Sequence, residues 1–249
     1  MVTLYWMSIS HPSQAVRKML ELKDADVRLV NVLPLSQRVH LRLVGFRAGT
    51  VPALKFDDGT RVQGSRQIAR ALDERWPKPP LFPSDPAARA RVEEAERWGE
   101  QELQPVPRRI ARHGAVDNMG VREWAGAATP VPGVQLLVRT SGPLIRYYGR
   151  TREADGRRAN EAGVKADLAA LPQLLNRVDA LLDDGTLTLD PPNAATVQIL
   201  SSVRMLLAFD DLHDLVGAHA CARPAREVFP DYPGTLPRFL PPDWVPTQP

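Results

Sequence analysis

The chain has 249 residues, 43% hydrophobic and 24% charged, with a formal net charge of +3; this suits one large globular domain or two small ones. No apolar run reaches the ~18 residues that a spanning helix needs, so no membrane partner is expected, and a single cysteine, Cys221, allows no intrachain disulfide and points to a cytoplasmic protein. Only five of the 32 basic residues are Lys, and the Arg residues alternate with acids, as in ARARVEEAERWGEQE, so no nucleic-acid partner is expected.

Residues 2–7, VTLYWM, read as a strand of β-branched and aromatic residues. The opening MVTLYWMSISHPS lacks a basic n-region and a long apolar core, so no signal peptide is expected. Ser8 to Ser13 is a turn and cap cluster. A helix follows from about Ser13 to Leu22, with Val16, Met19 and Leu20 on one face. Residues 27–32, VRLVNV, form a second strand, and β-α-β predicts a parallel pair with a crossover helix. Residues 34–49 are mixed, with one irregular helix from Ser36 to Phe46.

The stretch from Thr50 to Leu72 is the most informative. Ala53 to Phe56 has strand character, Asp58-Gly59 is a hairpin turn signal, and Arg61 to Gln63 is the returning strand. Gly64 breaks that strand. Ser65 is an N-cap, with Ile68, Ala69 and Leu72 at helical spacing behind it. The helix thus starts at the sheet's end, and its free N–H groups attract an anion such as a carboxylate. Pro52 after Val51 cannot donate to a ladder, so it belongs at an edge, a strand start or a cis turn. The order over 1–76 is βαβ-α-ββα.

Pro77 to Pro86, PKPPLFPSDP, is a proline-rich linker. Residues 87–249 read as mostly helical. Pro86 to Gln104 is a strong helix that Pro105 and Pro107 kink or end. Residues 114–142, dense in Gly and Pro, read as an irregular insertion with a short helix or two, and Pro143 to Arg150 as the start of the next helix. Gly163 to Asp183 is a clear helix with Pro172 inside it, and Asp184-Gly185 ends it. Asn193 to Phe209 is apolar nearly all round and capped by Asn193, hence a buried central helix. The tail from Pro230 is Pro-rich and is expected to lie irregularly along the surface.

Val51-Pro52, a hairpin with Asp58-Gly59, and a helix opened by Ser65 resemble the second half of the glutathione transferase N-terminal domain. The resemblance implies an α/β plus all-α protein: a thioredoxin-like domain over 1–76, the linker at 77–86, and a helical-bundle domain over 87–249. It implies a cis Val51–Pro52 bond, with the Val51 backbone pairing with the cysteinyl part of glutathione. The family's Glu-Ser or Gln-Ser pair holds the γ-glutamyl end; here Ser65 matches the Ser, Gly64 replaces its acidic partner, and Gln63 stands one place earlier. Asn193 matches the family's helix cap, while Thr196 stands where its Asp belongs.

Aligning Ala15-Val16-Arg17 with the family's Arg-Val-Arg puts Ser10 at the catalytic Ser or Cys position. A thiolate at the positive end of the first helix, accepting one hydrogen bond from Ser10, would be stabilised. Read alone, Ser10 is only a cap or turn residue, and Ser8 and Ser13 are close rivals. His11 is either a second donor to the thiolate or an exposed loop residue. Tyr5 is expected to pack in the sheet, and Cys221 to be a buried small side chain. No Cys lies between Ser8 and Ser13, which disfavours disulfide exchange. The five His residues show no ligand spacing, so no metal is expected. Trp98, Arg109, Arg112, Tyr147 and Tyr148 are candidates to line the second pocket, against ordinary packing and solvated Arg.

The function so implied is transfer of the thiol of glutathione, or of a related low-molecular-weight thiol, to an electrophilic small molecule, by a homodimer. A thiol-dependent isomerase or dehalogenase differs only in the substrate cleft. The reading from another class is a scaffold or ligand-binding protein that has kept the fold and lost the site.

Overall fold

Alternation along residues 2–6 buries Val2, Leu4 and Trp6 on one face of strand β1 (Val2–Trp6). The computed structural model describes residues 1–129, 133–148 and 158–246. Helix α1 (His11–Leu22) buries Ala15, Val16, Met19 and Leu20 against that face and returns the chain to β2 (Val27–Asn31). Strand β2 pairs parallel with β1, Val2 opposite Val27. After α2 (Gln37–Leu43) come β3 (Ala53–Lys55), β4 (Arg61–Gln63) and α3 (Ser65–Arg75). The sheet order is β2-β1-β3-β4, with β3 antiparallel to both β1 and β4. This is the expected thioredoxin-like sheet with its helices.

The large helical part follows a stretch without regular structure between α3 and α4 (Pro86–Trp98). That stretch is tied down rather than loose. Lys23 Nζ, fully buried, donates to Asp73, to the Trp76 carbonyl at 2.5 Å and to the Pro79 carbonyl at 2.5 Å. Leu81 and Phe82 are in the core, and the Leu81 carbonyl accepts from Ala194 N–H.

Pro105 and Pro107 do not stop the helix. A π-helical turn, Gly99–Leu103, joins α4 to α5 (Pro105–Asp117), with Gln104 N–H reaching back five residues to the Gly99 carbonyl at 2.8 Å. The shifted register places both prolines in the first turn of α5, where a missing N–H costs nothing. The glycines of 114–127 are likewise helical. They lie in α5 and in α6 (Met119–Ala127) because neighbours press on them: a Cβ on Gly114 would be 2.6 Å from Phe239, and one on Gly120 2.8 Å from Pro237. Helices α7 (Val134–Thr140) and α8 (Gly142–Tyr148) follow, so the region read as an irregular insertion is mostly short helices. Pro130 and Pro132, and the end of the helix expected to reach Arg150, lie outside the described residues.

Helix α9 (Glu161–Asp183) contains Pro172, as expected, and ends at Asp184. Helix α10 (Ala194–Leu206) is the buried centre, packing against α1, α3, α4 and α5, and against α11 (His213–Gly217) and α12 (Ala222–Val228). Asn193 Oδ1 accepts from Thr196 N–H at 2.9 Å, and Thr196 Oγ1 donates to the Thr188 carbonyl, so the cap holds without the carboxylate. The tail differs from its expected surface course. Tyr232, Leu236 and Leu240 are buried, and Leu236 exchanges backbone bonds with Ala208 and Asp210. Proline content had suggested solvent exposure, but the apolar residues between the prolines decide the path.

Candidate functional site

The ladder registers gather the sequence candidates at one end of the sheet. Tyr5 faces Ala53 and Ala53 faces Gln63. The end of β1, the start of β3 and the end of β4 are therefore neighbours, which brings the Met7–Ser10 loop, Val51-Pro52 and Gly64-Ser65 to one edge. Gly64 N–H donates to the Pro52 carbonyl at 3.1 Å. The Val51–Pro52 bond is cis, as the resemblance implies. Among the described residues no hydrogen bond engages the Val51 N–H or carbonyl.

The three rival serines separate cleanly. Ser8 Oγ donates to the Ala128 carbonyl at the end of α6. Ser13 is fully buried, and its hydroxyl has no partner. Ser10 is half-buried at the N-cap of α1, in extended conformation, and its side chain makes no capping bond. Ser10 alone of the three therefore presents an unengaged hydroxyl to an open position at a helix N-terminus. The helix begins two residues earlier than the periodicity suggested, because Pro12 fits its first turn.

That earlier start makes His11 a core residue, 2% exposed, rather than a loop one. Its Nδ1 lies 2.9 Å from Ser202 Oγ on α10, and its Nε2 is buried without a partner. Burial holds its pKa well below the usual imidazole value, and the Arg108 charge adds to that. His11 is thus neutral and joins α1 to α10.

Ser65 is buried at the first position of α3, and its Oγ donates to Gln198 Oε1 at 2.9 Å. Gln198 Nε2 donates in turn to Glu96 Oε1. Glu96 is fully buried; desolvation pushes its carboxyl up, opposed by Arg70 at 2.9 Å and by Arg66. The chain Ser65–Gln198–Glu96 links the two parts of the molecule. Gly64 has φ +87°, a conformation that side chains rarely adopt, and a Cβ there would lie 2.5 Å from Gln67 Oε1. Gln63 points the other way: its amide donates to the Ala48 and Thr50 carbonyls, and its oxygen accepts from Ala48 N–H. What the α3 end offers an anion is therefore its backbone N–H groups.

Of the other candidates, Tyr5 packs edge-on to His40 and Phe46, as expected. Cys221 is buried, and burial pushes its thiol up. Arg109 is fully buried in a two-pronged pair with Asp167, at 2.6 and 2.5 Å, so it is a core residue and not a pocket lining. Trp98 is covered by the Arg177 guanidinium at 4.5 Å. Arg112 is half-buried and Tyr147 is 67% exposed. The Tyr148 side chain lies outside the described part. Sequence reasoning missed Gln198, Glu96, Ser202 and Tyr232. The signal for two of them was present: Gln198 and Ser202 are polar, four apart, and so on one face of an otherwise apolar helix. Among the described residues no helix is long and apolar enough to cross a membrane, and no cluster of three or more His, Cys, Asp or Glu is placed to hold a metal.

The family model described as "Glutathione S-transferase, N-terminal domain" matches residues 4–80. A maleylacetoacetate isomerase of Pseudomonas aeruginosa is 31% identical over 131 residues, 49% of this chain and 62% of that protein. The chain thus matches less than two thirds of that relative's length. Glutathione transferase F2 of Populus trichocarpa superposes with TM-score 0.60 at 16% identity, covering 93% of this chain and 94% of that one. A maleylacetoacetate isomerase of Anaeromyxobacter dehalogenans, solved with glutathione in its active site, gives 0.54 at 19% identity, covering 92% and 90%. Residues 4–80 thus match the glutathione S-transferase N-terminal domain, and both parts of the chain share the fold of the glutathione transferases compared.

Proposed function

We propose that the protein activates the thiol of glutathione, or of a related low-molecular-weight thiol, for attack on an electrophilic small molecule. The observation that carries this reading is the unengaged Ser10 hydroxyl at the start of α1, on the same sheet end as the free Val51 backbone and the start of α3. Each has one task. Ser10 Oγ–H donates to the thiolate, and the α1 N-terminus favours its charge. The Val51 N–H and carbonyl pair with the donor's peptide. The first-turn N–H groups of α3 take its carboxylate. His11, neutral and buried, keeps the start of α1 against α10 and supplies no charge. The activated sulfur then forms a bond to an electrophilic carbon, which either releases its leaving group with the bonding electron pair or, across an activated double bond, shifts the π pair onto the conjugated acceptor, which takes a proton from water. An isomerisation, the reaction type that the name of the Pseudomonas relative carries, run through the same thiol, is a second chemistry for this centre. The active form in this reading is a homodimer.

One observation favours the scaffold reading instead: the Ser65 hydroxyl is buried on Gln198, and Gly64 offers no side chain to an ammonium group. Retention on immobilised glutathione, with elution by free glutathione, separates the two. Retention is expected. A chain that passes through, and that turns over no electrophile with glutathione, is a scaffold or uses another thiol.

A further inference from the structure

The Ser8–Ser10 loop is held from the far end of the chain. Tyr232 sits in the C-terminal tail, more than two hundred residues away, yet its Oη donates to the Ile9 carbonyl at 3.0 Å. That carbonyl belongs to the peptide whose N–H is Ser10's. The N–H itself donates to the Met7 carbonyl at 3.0 Å. The Ile9–Ser10 peptide is therefore pinned on both edges, which sets the plane from which Ser10 Cβ projects.

Tyr232 is firmly placed. It is 6% exposed, and the Arg204 guanidinium of α10 lies 5.4 Å over its ring. Arg204 Nε donates to the Phe229 carbonyl at 3.0 Å, fixing the chain just before it. Just after it, the Pro233 carbonyl accepts from Trp124 Nε1 of α6 at 2.8 Å, and Leu236 pairs with Ala208 and Asp210. Burial raises the phenol well above its usual pKa, so it is a donor throughout the working range of pH.

We infer that Tyr232 is a positioning residue for Ser10: the helical part reaches over with its tail and sets the direction of the hydroxyl that faces the thiol. This rests on the proposed thiol chemistry. Without the bond, the peptide is free to rotate on its Ile9 side, and the Ser10 hydroxyl spreads over directions of which one is productive. A displacement of about 1 Å can lower a rate by as much as ~100-fold, whereas donor binding through Val51 and α3 involves other atoms.

The test is Tyr232→Phe, which keeps the ring against Arg204 and removes only the hydroxyl. Trp124→Phe is the control: it releases the Pro233 carbonyl but leaves the Tyr232 hydroxyl in place. Two readouts are needed. The first is turnover with glutathione, split into kcat and donor KM, with the pKa of the bound thiol followed by thiolate absorbance. Tyr232→Phe is expected to lower kcat roughly 10- to 100-fold and raise the bound-thiol pKa, with donor KM within about twofold and Trp124→Phe near wild type. The second is amide hydrogen exchange over residues 8–14, which needs no activity; Tyr232→Phe should speed it and Trp124→Phe should not. If wild type neither binds nor turns over glutathione, the thiol reading fails, and the exchange measurement alone decides whether Tyr232 holds the loop. Unchanged exchange and kcat in Tyr232→Phe overturn the inference. So does equal damage by both variants to kcat, KM and melting temperature, because that is general loosening of the tail.

Discussion

A hydrogen-bonding residue of the family motif can be present and differently engaged, and Ser65 is the example. Its hydroxyl belongs to a buried chain through Gln198 to Glu96. Gln198→Leu should therefore lower stability by about 1–3 kcal/mol, since it strands the Ser65 hydroxyl and a buried Glu96 oxygen; thermal melting reads this directly. At the neighbouring position the backbone conformation disfavours the family's acid. Gly64→Glu is expected to lower the melting temperature without tightening glutathione, because φ +87° strains any residue with a side chain. A gain in affinity at unchanged stability would contradict that. His11 makes a pH prediction. Its folded pKa lies well below the value of about 6.5 that the unfolded chain shows. Below that value the unfolded state binds the proton first, so the His11 contribution to stability is complete above about pH 6.5 and declines as the pH falls toward its folded pKa. His11→Gln should flatten that acid limb in denaturant titrations between about pH 7 and 5. Beyond the polar pair Gln198 and Ser202 on α10, none of this was legible beforehand. Ser10, Val51 and Ser65 could be found by motif, but what a hydroxyl bonds to is set by residues from remote elements.

At the scale of elements, the sheet domain was legible because its signals are local: alternation in β1, Asp58-Gly59 at the hairpin, Ser65 at a helix start. The central helix was legible from its continuous apolar character. The differences between Pro105 and Ala127 share one physical cause. Pro105, Pro107, Gly114 and Gly120 carry strong local preferences against helix, and tertiary circumstances override them: a π turn resets the register for the prolines, and Phe239 and Pro237 need the space at the glycines. Gly114→Ala should accordingly destabilise by about 1–3 kcal/mol despite its better helix propensity, because the methyl meets the Phe239 ring. Helices α5 and α9 are locked by Arg109 and Asp167, both fully buried. Removing one partner of such a pair leaves an uncompensated charge, at about 3–5 kcal/mol. Asp167→Ala is expected to lower the melting temperature by about 10 °C. A change of under two degrees would mean that solvent reaches the guanidinium.

The whole molecule is two parts clamped at several places by polar contacts. Lys23 joins α1 to the stretch before α4, His11 and Ser65 reach α10, and Tyr232 returns from the tail to the Ile9 carbonyl. The His11, Ser65 and Tyr232 clamps lie at the starts of α1 and α3, beside the candidate centre, so its geometry depends on both parts; Lys23 holds the other end of α1. The homodimer is a separate expectation. Light scattering should give twice the chain mass across a wide concentration range, and a steady monomer mass would remove it. The central claim concerns Ser10. One hydrogen bond to a charged group contributes roughly 1.5–3 kcal/mol, and one pKa unit corresponds to about 1.4 kcal/mol. The most direct measurement is the thiolate absorbance of protein-bound glutathione as a function of pH, in the wild type and in Ser10→Ala. The account predicts a bound-thiol pKa below that of free glutathione in the wild type and a rise of about one to two units in the variant, at nearly unchanged affinity. An identical titration in the two proteins would contradict it and leave Ser10 as no more than a helix cap.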